Sequence, residues 1–291
     1  MDQFIANGLC KGAIYALVAL GFGLIYTTAG VFHIAHGIVF TTAAYAAFAA
    51  ISLLHLPSYL ADFLALVVAA GTGLLIEATI YRPLDKRKAS SSVLMISSFG
   101  AYIVGVNLIA MLFGNETKVL RSGVDATFQL GDVILTRIQL LQLAWAGGVF
   151  MAYWLFLRRT ALGQICRAVA DDSNLASVLG VRVEATRLLV FAIGSGLAAV
   201  GAILTALDVG MDPHGGLPVV MAAAVACIIG GLHRFLAPVL GGMILGLLQS
   251  LVVWKTSAHW ETVVTFAILI LLLLFRPQGI LGRAERLEEV R

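Results

Sequence analysis

Apolar stretches of about twenty residues, the length needed to cross a bilayer as a helix, recur from Gly8 to Phe275 with only short polar interruptions. They fall at Gly8 to Ala29, His33 to Leu54, Leu60 to Tyr81, Ser92 to Phe113, Ile138 to Leu157, Arg187 to Leu207, Leu217 to Gly231, Pro238 to Trp254 and Glu261 to Phe275. With 60% hydrophobic and 12% charged residues, the chain lacks the polar surface that a water-soluble fold requires. The expected fold is all-α: a polytopic transmembrane helical bundle of about eight or nine segments that forms one domain over residues 1–291. The first stretch has no basic leader and no small-residue cleavage site, so it is expected to stay as a span.

Some of these segments are expected to be discontinuous. Glycines cluster at Gly30 to Gly37 and at Gly230 to Gly242, where a helix can break part-way through the membrane. Basic residues set the orientation. Arg82, Lys86, Arg87 and Lys88 form one group; Arg158, Arg159, Arg167, Arg182 and Arg187 form another; Arg276, Arg283, Arg286 and Arg291 lie at the end. All three groups are expected on the cytoplasmic side. The loop at about 114–137 then lies outside, as do Asp208, Asp212 and, if every stretch spans, the N-terminus. Alternating residues around Gly131-Asp132 predict a small external β-hairpin over Phe128 to Ile138.

The net charge of +3 is explained by these membrane-flanking groups, so lipid and not nucleic acid is the expected partner. Cys10, Cys166 and Cys227 have neither metal-ligand nor redox spacing. No G-x-x-x-x-G-K-[ST] phosphate loop occurs anywhere. Neither a nucleophile–base set nor a carboxylate pair stands out as an enzyme would need, and His33 with His36 lacks a third metal ligand.

The cytoplasmic segment at about 158–187 is long for a loop between helices and is organised. Asp172 or Ser173 can cap a helix start, Asn174 to Leu179 provides a short amphipathic turn or two, and Gly180 suits the position just past its end. Such an element serves either as a docking point for a cytosolic partner or as an interfacial helix held by lipid head groups.

The pattern Leu162-Gly163, Arg167-Ala168, Ala176 and Leu179-Gly180-Val181 resembles the coupling loop of the permease subunits of branched-chain amino-acid ABC importers, the LivH type. Further stretches match that family in order: Tyr15-Ala16-Leu17, Gly21, Ile25-Tyr26, Ala35-His36-Gly37, Glu77, Tyr81-Arg82-Pro83-Leu84 and Ser98-Phe99-Gly100. Asp212-Pro213, Gly230-Gly231, Gly241-Gly242 and the run from Arg276 to Gly282 continue the match.

The resemblance implies a permease domain in a bacterial cytoplasmic (inner) membrane, without catalytic residues of its own. Its implied partners are a second permease subunit, two cytosolic ATPase subunits and an extracytoplasmic binding protein. It implies no cofactor on this chain, because ATP and Mg²⁺ would bind the ATPase subunits. Gly163, Arg167, Asp171, Asp172, Ala176, Leu179 and Gly180 are then the coupling residues. His33, Ala35, His36, Gly37, Ser97, Ser98 and Gly100 are the candidate substrate path, since a glycine-broken helix exposes backbone groups to a polar solute. Their alternative role is close helix packing with cross-helix hydrogen bonds.

Two departures from the family stand out. His33 replaces the usual Asn, and His233-Arg234 replaces a Gly-Ser pair, with Phe235-Leu236-Ala237-Pro238 following. The second marks either an altered gate or an ordinary cytoplasmic turn. Glu77, near the end of its span, is expected to pair with another segment and not with Arg82, because i,i+5 positions do not stack on a helix. A stand-alone transporter or channel driven by an ion gradient is the competing reading, and Glu77 is its one plausible coupling carboxylate.

Overall fold

The computed structural model describes residues 1–120, 126–231, 234–275 and 279–281. His233, Arg276, Arg283, Arg286 and Arg291 lie outside the described residues, so the expectations placed on them rest on sequence alone. The elements run α1 (Asp2–Ala29), α2 (His36–Ser52), α3 (Ser58–Ile76), a π turn (Glu77–Tyr81), α4 (Arg82–Lys86) and α5 (Ser91–Phe113). A hairpin of β1 (Thr127–Leu130) and β2 (Val133–Thr136) follows, then α6 (Arg137–Arg159), α7 (Ala161–Asp171) and α8 (Ser173–Val178). The chain continues through α9 (Val183–Asp208), α10 (Gly216–Gly230), α11 (Ala237–Lys255) and α12 (Glu261–Phe275).

The fold is mostly helical, and among the described residues 6 helices are long and apolar enough to cross a membrane. Three shorter apolar helices, α2, α10 and α12, make up the rest of the nine apolar stretches. The hairpin pairs Leu130 with Val133 across Gly131-Asp132, where Gly131 takes φ 62°. That left-handed conformation suits glycine and matches a two-residue hairpin turn.

The two ends of the bundle are chemically distinct. Gln3 clips the hairpin to the N-terminus, donating to the Ile134 carbonyl at 2.9 Å and accepting from the Ile134 amide at 2.7 Å. Lys118 and Met211 exchange backbone hydrogen bonds at 2.8 Å, tying two loops together at that end. At the opposite end lie α4, α7, α8 and the start of α9, which carry the basic loops.

The first helix is the axle of the bundle, with 83% of its apolar window buried. It packs most extensively on α11, through small residues at four-residue intervals. Gly8, Gly12 and Ala16 on α1 face Ser250, Gly246 and Gly242 on the antiparallel α11. A Cβ on Gly12 would come within 3.0 Å of the Met243 Cα, and one on Gly246 would collide with the Gly12 backbone. In lipid, where no hydrophobic effect drives helices together, this close approach supplies the dispersion contacts that hold the pair.

At the α8 end, a buried charge pair fixes α3 to α9. Glu77, 2% exposed, accepts from Arg187 Nε at 2.9 Å, and Arg187 also reaches Asp85 at 2.8 Å. Arg82 pairs with Glu184 instead. A helical i,i+5 geometry keeps Arg82 off Glu77, whereas Arg187 approaches from a neighbouring helix.

Two stability predictions follow from this packing. Gly246→Val destabilises the detergent-solubilised chain by about 1–3 kcal/mol or more, read as a lower Tm. Gly147→Val, at a position with nothing within 4 Å of a new Cβ, leaves Tm unchanged. Arg187→Met costs about 3–5 kcal/mol by stranding the buried Glu77 carboxylate, and the double variant Glu77→Gln/Arg187→Met recovers much of that loss. A double-mutant cycle in Tm measures the coupling, and additive losses would show that the pair does not act as a unit.

Candidate functional site

The site is built where α1 stops. Gly30 caps α1 in the left-handed conformation, φ 68°, with its N–H on the Tyr26 carbonyl at 2.9 Å. The next five residues are not helical and return along α1. His36, the first residue of α2, packs its Nε2 3.1 Å from where a Cβ on Gly21 would lie. Gly21 is eight residues before Ala29, about 12 Å up the helix at 1.5 Å per residue. The chain therefore carries non-helical backbone deep into the bundle before α2 begins.

Backbone in such a place must find partners inside the protein. Ser98 Oγ, on α5, accepts from the Ala35 amide at 2.8 Å and from the Tyr81 hydroxyl at 2.7 Å. Tyr81 Oη lies 2.8 Å from His33 Nδ1. With Tyr81 donating to Ser98, His33 donates from Nδ1, and Nε2 is left as an acceptor. That nitrogen and both ring nitrogens of His36 have no hydrogen-bond partner among the described residues, although the Val18 backbone lies beside His36. Both histidines are fully buried, their rings 5.4 Å apart, between Phe22 and Phe191.

A second break meets the first. α10 begins at Gly216, and a Cβ there would collide with the Gly37 carbonyl and the Thr41 hydroxyl near the start of α2. The Tyr102 hydroxyl donates to the His214 carbonyl at 3.4 Å, and Asp212 accepts from the His214 amide at 2.9 Å. The starts of two helices that enter from opposite ends thus touch within the bundle. The two glycines, Gly37 and Gly216, allow that contact.

The structure brings His33, Ala35, His36, Gly37 and Ser98 together. Ser97 and Gly100 point elsewhere: Ser97 is half-buried, and Gly100 is exposed, with nothing within 4 Å of where a Cβ would lie. On a helix, positions 97 and 100 are rotated away from 98, so only Ser98 reaches the break. Tyr81 completes the network. The residue signal available for it was its place in the Tyr81-Arg82-Pro83-Leu84 motif, but the π turn that aims both Glu77 and Tyr81 inward has no sequence signature. Lys11 and Glu261, an ion pair between α1 and α12, could have been found as ionisable residues inside or beside apolar stretches.

The second candidate surface lies at the far end. Thr160 caps α7 by accepting from the Gly163 amide at 3.0 Å, and Gly163 lies against the Phe156 carbonyl, where a Cβ would collide. Asp172 caps α8, accepting from Asn174 and Leu175 amides at 2.9 Å each. The helix ends in a Schellman motif: Gly180, φ 89°, donates to Ser177, and Val181 donates to Ala176. Ala176 and Cys166 face inward, and burial pushes the Cys166 thiol up, which leaves it unreactive. Arg167, Asp171 and Asp172 are exposed. Leu175, Val178 and Leu179 are 56%, 84% and 75% exposed, an apolar tip on a capped helix.

Known proteins are similar to this chain. The profile of the family described as "Branched-chain amino acid transport system / permease component" matches residues 4–273. The chain is 33% identical to the high-affinity branched-chain amino acid transport system permease protein BraD of Pseudomonas aeruginosa, covering 97% of this chain and 96% of that one. It is 31% identical to LivH of Escherichia coli over the same shares. A solved structure, PsaBC from Streptococcus pneumoniae in complex with Fab, is similar in fold alone, with TM-score 0.54 and 13% identity over 95% of this chain and 93% of that one. The chain belongs to the permease family of branched-chain amino acid transport systems.

Proposed function

We propose that this chain is one transmembrane half of an ATP-driven importer for branched-chain or related amino acids. The observation that carries this reading is α8: a short helix capped at both ends, with an exposed apolar tip, at the end of the bundle that holds the basic loops. A folded element that presents Leu175, Val178 and Leu179 to water is built to be covered. We assign residues 158–187 as the coupling loop, with Gly163, Arg167, Asp171, Asp172, Ala176, Leu179 and Gly180 shaping or meeting a cytosolic ATPase subunit. ATP and Mg²⁺ belong to that partner, and one ATPase serves each of two permeases.

In this reading the nine apolar helices all enter the membrane, α2 and α10 as discontinuous segments, within a single permease domain over 1–291. The loop at 114–137 faces the extracytoplasmic binding protein, as does the N-terminus. His33, Ala35, His36, Gly37 and Ser98 flank the path, with Ser97 and Gly100 on the α5 surface turned to the second permease. Glu77 and Arg82 are structural, each held by a partner on α9. An unlike second permease fits the family, and the unpaired nitrogens of His33 and His36 are the polar atoms that a passing solute would meet.

Co-purification tests the coupling role. With the ATPase and second permease co-expressed, Leu179→Asp lowers ATPase capture by tenfold or more while Tm stays unchanged, because Leu179 makes few contacts within the chain. Unchanged capture would reassign α8 to the lipid surface. Ser98→Ala strands the Ala35 amide and leaves the Tyr81 hydroxyl with His33 alone, costing about 1–3 kcal/mol, and it lowers ATP-driven amino-acid uptake without loss of ATPase capture. Full uptake at parental Tm would remove the break from the path.

A further inference from the structure

A cavity of about 310 Å³ lies between α1, α10, α11 and α12, toward the hairpin end and apart from the His33 network. This is at the lower end of the range for small-molecule sites, about 300–1,000 Å³. Its polar wall is a connected ladder: the Tyr15 hydroxyl donates to Gln249 Oε1 at 3.0 Å, Gln249 Nε2 donates to the Thr265 hydroxyl, and Thr265 donates to the Glu261 carbonyl at 2.8 Å. Glu261 lines the cavity and its carboxylate pairs with Lys11, whose ammonium also sits 5.9 Å from the Tyr15 ring centroid. Leu217 and Met221, from the first turns of α10, form the apolar wall.

Resting on the amino-acid importer reading, we infer that this cavity is a binding site for zwitterionic amino acids on the translocation route, with Lys11 and Glu261 as its charge-reading residues. The chemistry is one of exchange. The pair is half-buried, at 31% and 30% exposed, and beside apolar helices the loss of either partner leaves the other charge unpaired. A zwitterion brings both replacements at once: its carboxylate takes Lys11, its ammonium takes Glu261, and no charge is left unpaired. An amine or a carboxylic acid of the same shape satisfies one side only and is refused. Because two ion pairs replace one ion pair and one solvated zwitterion, the net gain is small, which suits a site that must release its occupant. Leu217 and Met221 receive the side chain, and a volume of about 310 Å³ favours small apolar ones.

The test uses the full chain in lipid nanodiscs and saturation-transfer NMR with L-leucine as the probe. Saturable leucine binding is expected, with 3-methylbutylamine and 4-methylpentanoate, which each keep one charge, binding at least tenfold more weakly. Glu261→Gln and Lys11→Met each lower leucine binding by tenfold or more. Met221→Trp fills the cavity while leaving the ion pair intact, and it abolishes binding in a protein whose Tm matches the parent. ATP-driven leucine uptake by the assembled transporter, with its second permease, ATPase and binding protein, separates two kinds of failure. Uptake by the parent with no leucine binding to the chain, or with binding untouched by Met221→Trp and Glu261→Gln, overturns the site alone. Absence of amino-acid uptake by the assembled parent overturns the importer reading and the site with it.

Discussion

The hydroxyl of Ser98 is the interaction on which the interior of this bundle depends. Hydrocarbon offers backbone amides no partner, so a chain that breaks its helix inside a membrane must supply one from a side chain. Ser98 supplies it to Ala35 and, by accepting from Tyr81 as well, orients the phenol that holds His33. Without that double acceptor, the return of residues 31–35 along α1 would leave a buried donor unpaired. The unpaired ring nitrogens of His33 and His36 lie at the centre of this arrangement.

Close packing supplies the rest of the rigidity, unevenly. Glycine and alanine let α1, α9 and α11 approach to backbone contact, and Gly21 against Gly194 repeats on the α9 side what Gly12 and Gly246 do on the α11 side. These helices are the fixed frame. By contrast, α5, α6 and α12 expose large apolar residues such as Met111, Trp145 and Leu274 along their outer faces, as helices that face lipid or another membrane subunit do. The two polar networks differ in what they join: the Gln249–Thr265 ladder bridges the frame to α12, whereas the Ser98 network joins α5 to the π turn and to the residues before α2.

Much of this was legible in the sequence because it follows from local chemistry. The apolar stretches mark the helices, Gly131-Asp132 marks the hairpin, and Asp172 with Gly180 delimits α8, since caps and turns are decided by one or two residues each. Pairings across the bundle were less so. The sequence shows that Glu77 needs a partner, but which of the arginines arrives depends on how α9 packs on α3. Ser97 and Gly100 illustrate the same limit: their motif is contiguous in sequence, whereas a helix turns only one residue in three or four toward a given neighbour. The ladder from Tyr15 through Gln249 to Thr265 draws one residue from each of three separated helices, and no spacing along the chain could announce it.

One line of contacts joins the two candidate surfaces. Gly180 ends α8 and, three residues on, Val183 starts α9; Arg187, in the second turn of α9, grips Glu77 in the π turn; and Tyr81, at the other end of that turn, holds His33 beside the break. A short non-helical linker joins α8 to α9; from Val183 onward the links are helix or hydrogen bonds, and the two ionic partners are too buried to trade for water cheaply. A force applied at the apolar tip of α8 therefore cannot be absorbed at the start of α9 without either carrying the π turn along or opening the Arg187–Glu77 pair. Glu77 and Tyr81 are four residues apart and both face inward, which places the ionic grip and the grip on His33 on one turn.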